Sequence, residues 1–141
     1  MEQLIGVIVV WLSLSFALPL AHDHPQIRHV APHRLVSIYY GPEFGKGDDA
    51  NVMGAYDPLT RTILLRDDWN SRNPADVSVL VHEMVHYLQA HTNQSFDCPG
   101  AREALAYAAQ QRWLEFHGND LHGAFGIDAM TLKLRTTCLP N

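Results

Sequence analysis

The chain has 141 residues, of which 47% are hydrophobic and 18% charged, and its formal net charge at pH 7 is −5. This length suits a single domain. The acidic balance argues against DNA or RNA as a partner, because binding to phosphates depends on clustered Lys and Arg.

An apolar run opens the chain. Residues 4–21 are almost uncharged, and Ser15-Phe16-Ala17 forms the small-x-small pattern of a cleavage site. This predicts a signal peptide within residues 1–21, with cleavage after Ala17, and a domain over residues 22–141. The first three residues include no Lys or Arg and the run is borderline long enough to span a bilayer, so an uncleaved membrane anchor stays open. Both alternatives predict an exported domain, periplasmic or secreted, whose sole membrane contact would be the leader.

Four histidines follow the leader, namely His22, His24, His29 and His33. A segment near a new N-terminus is expected to be mobile and solvated. Capture of a metal by this loosely spaced group is the alternative.

Three short segments predict strands. Residues 35–40 are bounded by Pro32 and Gly41-Pro42, residues 51–56 end at the Asp57-Pro58 turn, and residues 61–66 centre on an apolar run. Because helical patterns follow, the order of elements predicts an α+β fold with a small mixed or antiparallel sheet.

A helix is predicted from Pro74 to His91. Asn73 suits the N-cap, Pro74 the first helical position, and Asp76 the positive end of the helix dipole. On a helical wheel His82 and His86 lie one turn apart on one face, with Glu83 beside them. The opposite arc is apolar and consists of Val77, Leu80, Val81, Met84, Val85 and Leu88.

The motif His82-Glu83-Met84-Val85-His86 is the H-E-x-x-H pattern, in which two imidazoles hold zinc and the glutamate activates water. His91 is not expected to be a ligand, since it falls in the apolar arc. The metzincin extension of the motif is also excluded, because it requires Gly and His where this chain has Gln89 and Thr92.

A second helix is predicted over residues 101–116, with Gly118 as its C-cap. It is rich in alanine, which permits close approach to the first helix, and it carries Glu103, 17 residues after His86. Because a catalytic zinc takes three protein ligands and leaves one position open, Glu103 is the predicted third ligand.

The cysteines Cys98 and Cys138 most simply form one disulfide in an exported chain. This bond would stabilise the domain by about 3 to 4 kcal/mol in the loop-entropy model. A zinc role for Cys98 is less favoured, because no second Cys or His follows at a finger-like spacing.

The residues His82, Glu83, His86 and Glu103 resemble the gluzincin metallopeptidases, in which H-E-x-x-H is followed by a glutamate on the next helix. The stretch Glu103 to Tyr107 also resembles the E-x-x-A-Y form of small bacterial zincin-like domains. The resemblance implies a zincin-like fold whose edge strand, here residues 51–56, binds extended peptide. Several gluzincins have a carboxylate four residues after the ligand glutamate, where this chain has Tyr107, so the groups that orient the histidines are left unassigned.

This pattern predicts a zinc-dependent hydrolase of peptide or peptide-like amides, with Glu83 as general base. Tyr107 and His122 are equal candidates for stabilising the oxyanion. A His₂Glu site also accepts Co²⁺ or Mn²⁺. The alternative function is a non-catalytic zinc-binding or structural module, in which a fourth protein ligand would close the site.

Overall fold

The computed structural model describes residues 1–40, 52–92 and 94–140. The described residues form an α+β arrangement, as predicted, with a small sheet and several helices. In chain order the elements are α1 (Glu2–Phe16), β1 (Gln26–Val30), α2 (Pro32–Tyr40), β2 (Gly54–Asp57), β3 (Thr62–Arg66), α3 (Pro74–Gln89), α4 (Pro99–Phe116), α5 (Leu121–Phe125) and α6 (Ala129–Thr136).

The sheet is mixed, with the strand order β1-β3-β2. β1 runs parallel to β3, whereas β2 runs antiparallel to it, with Gly54 opposite Leu65 and Asp57 opposite Thr62. The central strand β3 is buried from Thr62 to Leu65, because Ile63 and Leu65 pack in the core cluster of α3 and Leu64 packs with side chains of α2. Among the described strands β2 is therefore an edge strand.

The predicted turn after Asp57 is present. The Asp57 carboxylate accepts hydrogen bonds from the Leu59 amide, at 3.0 Å, and from the Thr60 hydroxyl, at 2.8 Å. Such local side-chain bonds stabilise tight turns. This turn joins β2 to β3 and sets their antiparallel register.

The strand predicted over residues 35–40 is wrong, because these residues belong to helix α2. Pro32 occupies the first helical position, where its missing N–H costs nothing. Leu35 and Val36 are both buried and pack with Val52 and Leu64. Burial of two consecutive side chains against one surface fits a helix, since a strand would point them to opposite faces.

Two other strand predictions are confirmed in part. The segment predicted at residues 51–56 forms β2 at Gly54–Asp57, and Asn51 lies outside the described residues. The segment predicted at residues 61–66 forms β3. By contrast, β1 lies in the histidine-bearing segment after the leader, where no strand was predicted.

Helix α3 begins as its sequence predicts. The Asn73 side chain accepts a hydrogen bond from the Ala75 amide, at 3.0 Å, and Pro74 follows the cap. From Val77 to Gln89 every residue is buried. The helix that carries the motif therefore runs through the interior of the domain.

Helix α4 packs along α3. Ala106 and Ala109 are fully buried in the same core cluster as the apolar side chains of α3. Their small size permits the close approach that was predicted from the alanine content. The C-cap of α4 is His117, one residue before the predicted Gly118, and Gly118 follows it with φ +75°, a left-handed conformation that glycine adopts without strain.

The predicted leader forms helix α1 and packs on the domain. Ile5, Ile8 and Leu12 are almost fully buried in the same core cluster as α3. The Trp11 ring meets the Trp113 ring edge-on, with centroids 5.3 Å apart. No helix among the described residues is long and apolar enough to cross a membrane. Cleavage after Ala17 and export stay predictions.

The predicted disulfide between Cys98 and Cys138 is present, with a Cα–Cα distance of 5.7 Å. It joins the start of α4 to the segment after α6. The two backbones also touch nearby, since a Cβ added to Gly100 would lie 3.0 Å from the Thr137 carbonyl oxygen. The C-terminal segment is thus held against the beginning of the helix that carries Glu103.

Candidate metal centre

Helices α3 and α4 bring the three predicted metal ligands together. The His82 Nε2 atom lies 2.9 Å from Glu103 Oε2, and the His86 Nε2 atom lies 3.0 Å from Glu103 Oε1. One ligand atom from each residue falls within 4.8 Å of the others, so the group could hold a metal ion. His82 and His86 are buried and Glu103 is half-buried.

A hydrogen-bond relay fixes the tautomer of His82. The Ser78 hydroxyl donates to the Ala75 carbonyl oxygen, at 2.6 Å, and accepts from Gln110 Nε2, at 3.2 Å. The amide oxygen of Gln110 must then face His82 Nδ1, 2.9 Å away. Because that oxygen only accepts, Nδ1 carries a proton, which leaves Nε2 as the nitrogen that can present a lone pair to a metal.

A second relay fixes His86 in the same way. Gln89 Nε2 donates to the backbone carbonyl oxygen of Arg102, at 3.1 Å, which orients the side-chain amide. The Gln89 oxygen then accepts a hydrogen bond from His86 Nδ1, at 2.9 Å. The Nε2 atom of His86 is therefore also the nitrogen that can bind a metal beside Glu103.

This arrangement suits a cation. Each Nε2 faces a carboxylate oxygen, a contact that is favourable when a proton or a metal ion lies between the two atoms. The buried His86 Nε2 has no hydrogen-bond partner, although Glu103 Oε1 is 3.0 Å away, so the distance suits a hydrogen bond but the direction does not. Two imidazoles and one carboxylate are the donor set of catalytic zinc, and such ligands stand roughly 3.3 Å apart around a tetrahedral ion. The residues present fit the metal.

The pKa shifts of Glu103 and His86 agree with a site that holds a cation. Burial alone would raise the pKa of Glu103, but the imidazoles of His82 and His86 outweigh it and hold that pKa well below its ordinary range. Burial alone would lower the pKa of His86, but the carboxylates of Glu103 and Glu83 outweigh it and raise that pKa. The site therefore favours an ionised Glu103 beside positive charge.

Glu83 lies beside the three ligands without joining them. It is buried, and desolvation raises the pKa of its carboxyl, because burial penalises the charged form. Strand β2 passes close by, since a Cβ added to Gly54 would lie 3.5 Å from Glu83 Cγ. Glu83 is thus held between α3 and the edge strand β2, and its burial there raises the pKa of its carboxyl.

Tyr107 lies within contact of the ligands. Its ring meets the His82 ring edge-on, with centroids 4.5 Å apart, and its hydroxyl oxygen accepts a hydrogen bond from Arg135 Nη1, at 3.1 Å. Burial raises the pKa of the Tyr107 hydroxyl, which keeps it protonated. Because its oxygen already accepts from Arg135, its hydrogen is free to be donated elsewhere.

His122 is not brought to the site. It lies exposed on α5, and it is not among the described residues that line the cavity around Glu103. His91 also lies apart, as predicted, with its ring contacting Arg61 at 3.0 Å and Tyr87. The four histidines after the leader are all exposed, and they form no metal-binding group within the described ranges.

A cavity of about 1090 Å³ opens over the three ligands. Its walls include Gly54, Ala55 and Tyr56 of the edge strand, which face the ligand-bearing side of α3 and α4. Arg102 and Arg135 also line it. A ligand in this cavity could reach the metal-binding atoms, Glu83 and the edge of β2 together.

The groups that orient the histidines were not predicted from the sequence. Gln89 follows His86 by three residues, and Gln110 shares one face of α4 with Glu103 and Tyr107. Helical spacing alone could therefore have identified both glutamines as candidates for orienting the histidines. They were missed because a carboxylate, not an amide, was expected in that role.

The chain belongs to the family described as a domain of unknown function, DUF6647, whose model matches residues 1–141. No curated protein and no solved structure matches the chain.

Proposed function

We propose that the protein is an exported, zinc-dependent hydrolase of peptide or peptide-like amide bonds with a zincin-like fold. The observation that carries the proposal is the convergence of His82, His86 and Glu103, with the buried Glu83 beside them. Both imidazoles can present an Nε2 lone pair to a metal, because Gln110 and Gln89 accept hydrogen bonds from their Nδ1 atoms. This is the donor set and the polarity that zinc requires.

His82, His86 and Glu103 would hold the metal. When bound, zinc supplies a Lewis acid that acidifies water and polarises a carbonyl group. Glu83 accepts the proton of the attacking water as oxygen bonds to the carbonyl carbon, and then delivers that proton to the amine nitrogen as the C–N bond breaks. The raised pKa of Glu83 suits a group that must hold this proton between the two steps.

Tyr107 is placed to stabilise the negative charge that develops on the carbonyl oxygen. Its hydroxyl hydrogen is not used by Arg135, which donates to the hydroxyl oxygen. A preorganised donor of this kind typically contributes about 2.7 to 4 kcal/mol to the lowering of the barrier. The exposed His122 lacks such a position.

An extended peptide is the substrate that the cavity suits best. Strand β2 pairs with β3 on one edge, and no described strand pairs with its other edge. Residues Gly54 to Tyr56 line the cavity beside Glu83. A peptide that adds to this edge by backbone hydrogen bonds would pass over the metal-binding atoms.

The alternative is a zinc-binding module without turnover. Such a module would close the metal with a fourth protein ligand. Within the described ranges, the group of ligating side chains contains His82, His86 and Glu103 alone. An open position next to a large cavity favours the hydrolase.

The test combines metal analysis with variants and a mixed peptide library analysed by mass spectrometry. We expect about one zinc per chain, loss of the metal in His86→Ala, and retention of metal in the control His91→Ala. In Glu83→Gln we expect peptide cleavage to fall by roughly 10²-fold or more while zinc is retained, with Glu115→Gln as the exposed control. Full activity in Glu83→Gln would refute Glu83 as the base, and a zinc-free wild-type protein would refute the metal centre.

A further inference from the structure

Two arginine side chains line the cavity that opens over the three ligands. Arg102 lies next to Glu103 on α4, and Arg135 reaches the cavity from α6. Neither guanidinium forms an ion pair with an acidic side chain of the described residues. An arginine that lines a cavity and has no acidic partner is suited to bind an anionic ligand.

Arg135 is the better placed of the two for a ligand at the metal. Its Nη1 atom donates to the Tyr107 hydroxyl at 3.1 Å, and the Tyr107 ring touches the His82 ring. A single side chain therefore separates Arg135 from a metal ligand. The guanidinium has five N–H donors, so the bond to Tyr107 leaves donors for a second acceptor.

The fold holds Arg135 in this position. The Asp128 carboxylate caps the start of α6 by accepting from the Thr131 amide, at 2.7 Å. The disulfide at Cys138 fixes the chain three residues after Arg135, and the Thr137 backbone packs on Gly100. Both ends of the short helix are thus anchored.

We propose that the cavity binds a substrate with a carboxylate near the bond that is cleaved, and that Arg135 selects it. This rests on the proposed function, because the scissile bond is the one presented to His82, His86 and Glu103. A guanidinium matches the two oxygens of a carboxylate and can bind both at once. Arg102 adds positive charge at the same cavity and assists.

The carboxylate can be a peptide C-terminus or an acidic side chain, and the experiment separates the two. The first probe is succinic monohydroxamate, whose hydroxamate binds zinc and whose carboxylate is free. Its matched probe carries a methyl amide in place of that carboxylate. Titration calorimetry on the zinc-loaded full chain measures both without requiring turnover.

We expect the anionic probe to bind about ten-fold more tightly than the neutral one. Arg135→Ala should bring the two affinities to within about three-fold, and Arg135→Lys should keep part of the preference. The matched control is Lys133→Ala, which removes a charge from the same helix at a residue outside the cavity wall. Equal binding of the probes to wild type, or an undiminished preference in Arg135→Ala, would overturn the proposal.

Peptides then identify the source of the carboxylate. They are titrated against zinc-loaded Glu83→Gln, which should not cleave them. Tighter binding of a peptide with a free C-terminus than of its amidated form identifies the C-terminus as the source. Tighter binding of an amidated peptide with Glu than of the same peptide with Gln identifies an acidic side chain. No preference in either pair overturns the inference. If the probe preference holds while wild type cleaves no peptide, the binding inference stands and the hydrolase fails.

Discussion

Replacing Gln110 with Met tests whether the relay behind His82 controls the metal. The substitution keeps the length of the side chain but removes the oxygen that accepts from His82 Nδ1 and the nitrogen that donates to Ser78. Gln110 is 5% exposed, so water cannot readily replace these bonds. Loss of a partner that orients a metal-binding histidine typically weakens metal binding by about 10- to 100-fold, or roughly 1.4 to 2.7 kcal/mol.

The measurement is competition for zinc against a chromophoric chelator, with thermal unfolding of the zinc-free protein in parallel. We expect the zinc Kd of Gln110→Met to rise by that factor. The matched control is Gln111→Met, which also removes two hydrogen bonds from α4, to Glu115 and to the Leu121 amide, but none near the metal. If both variants bind zinc within about two-fold of wild type, the relay does not orient His82 and the reasoning is wrong.

Three further predictions concern the scaffold. Gly54→Ala would place a methyl 2.8 Å from a valine side chain of α3, so it should lower stability by about 1 to 3 kcal/mol and reduce activity; an unchanged Tm would contradict the close contact of β2 with α3. Replacing Cys98 and Cys138 with Ser should lower the free energy of unfolding by about 2 to 4 kcal/mol, measured with guanidinium chloride, and an unchanged midpoint would show that the bond adds nothing. Partial desolvation would raise the pKa of Asp23, but its hydrogen bonds with Arg61 and Tyr87 and the positive charge of Arg61 together outweigh this and lower that pKa from 3.8 to about 2. Wild type should therefore lose this stabilisation as the pH falls from near 4 through about 2, whereas Asp23→Asn should show less stability at neutral pH and a flatter decline over that window.

Local signals account for the parts that could be predicted from the sequence. Helix ends depend on a few adjacent residues. The structure accordingly begins α3 after the cap Asn73-Pro74 and ends α4 just before Gly118. The convergence of His82, His86 and Glu103 was predictable because helical spacing fixes the first two and a short connection brings the third. These inferences need few long-range contacts.

The wrong predictions concern segments whose conformation is set by contacts with residues far along the chain. β1 is a strand because it pairs with β3, with Gln26 opposite Thr62. No local sequence pattern predicts pairing with a segment so far along the chain. Residues 35–40 are rich in β-branched and aromatic types, yet burial of Leu35 and Val36 on one surface makes them helical. Local preference was overridden by packing in both cases.

Neutral amides, not carboxylates, accept hydrogen bonds from the two histidines. This choice affects the net charge of the metal centre and therefore the electrostatic field in the cavity. With neutral imidazoles and one ionised glutamate, a divalent ion leaves the ligand set with net positive charge, and Arg135 lies beyond Tyr107. Gln110→Glu would keep the length of the side chain and an oxygen that accepts from His82 Nδ1, but it would replace the donor to Ser78 with an oxygen and add a negative charge behind His82, which strengthens that ligand and offsets the positive field. We therefore expect tighter zinc binding together with a weaker preference for succinic monohydroxamate over its amide. If the variant binds zinc more tightly but keeps the full preference, the selectivity for anions comes from the arginines alone and not from the charge of the metal centre.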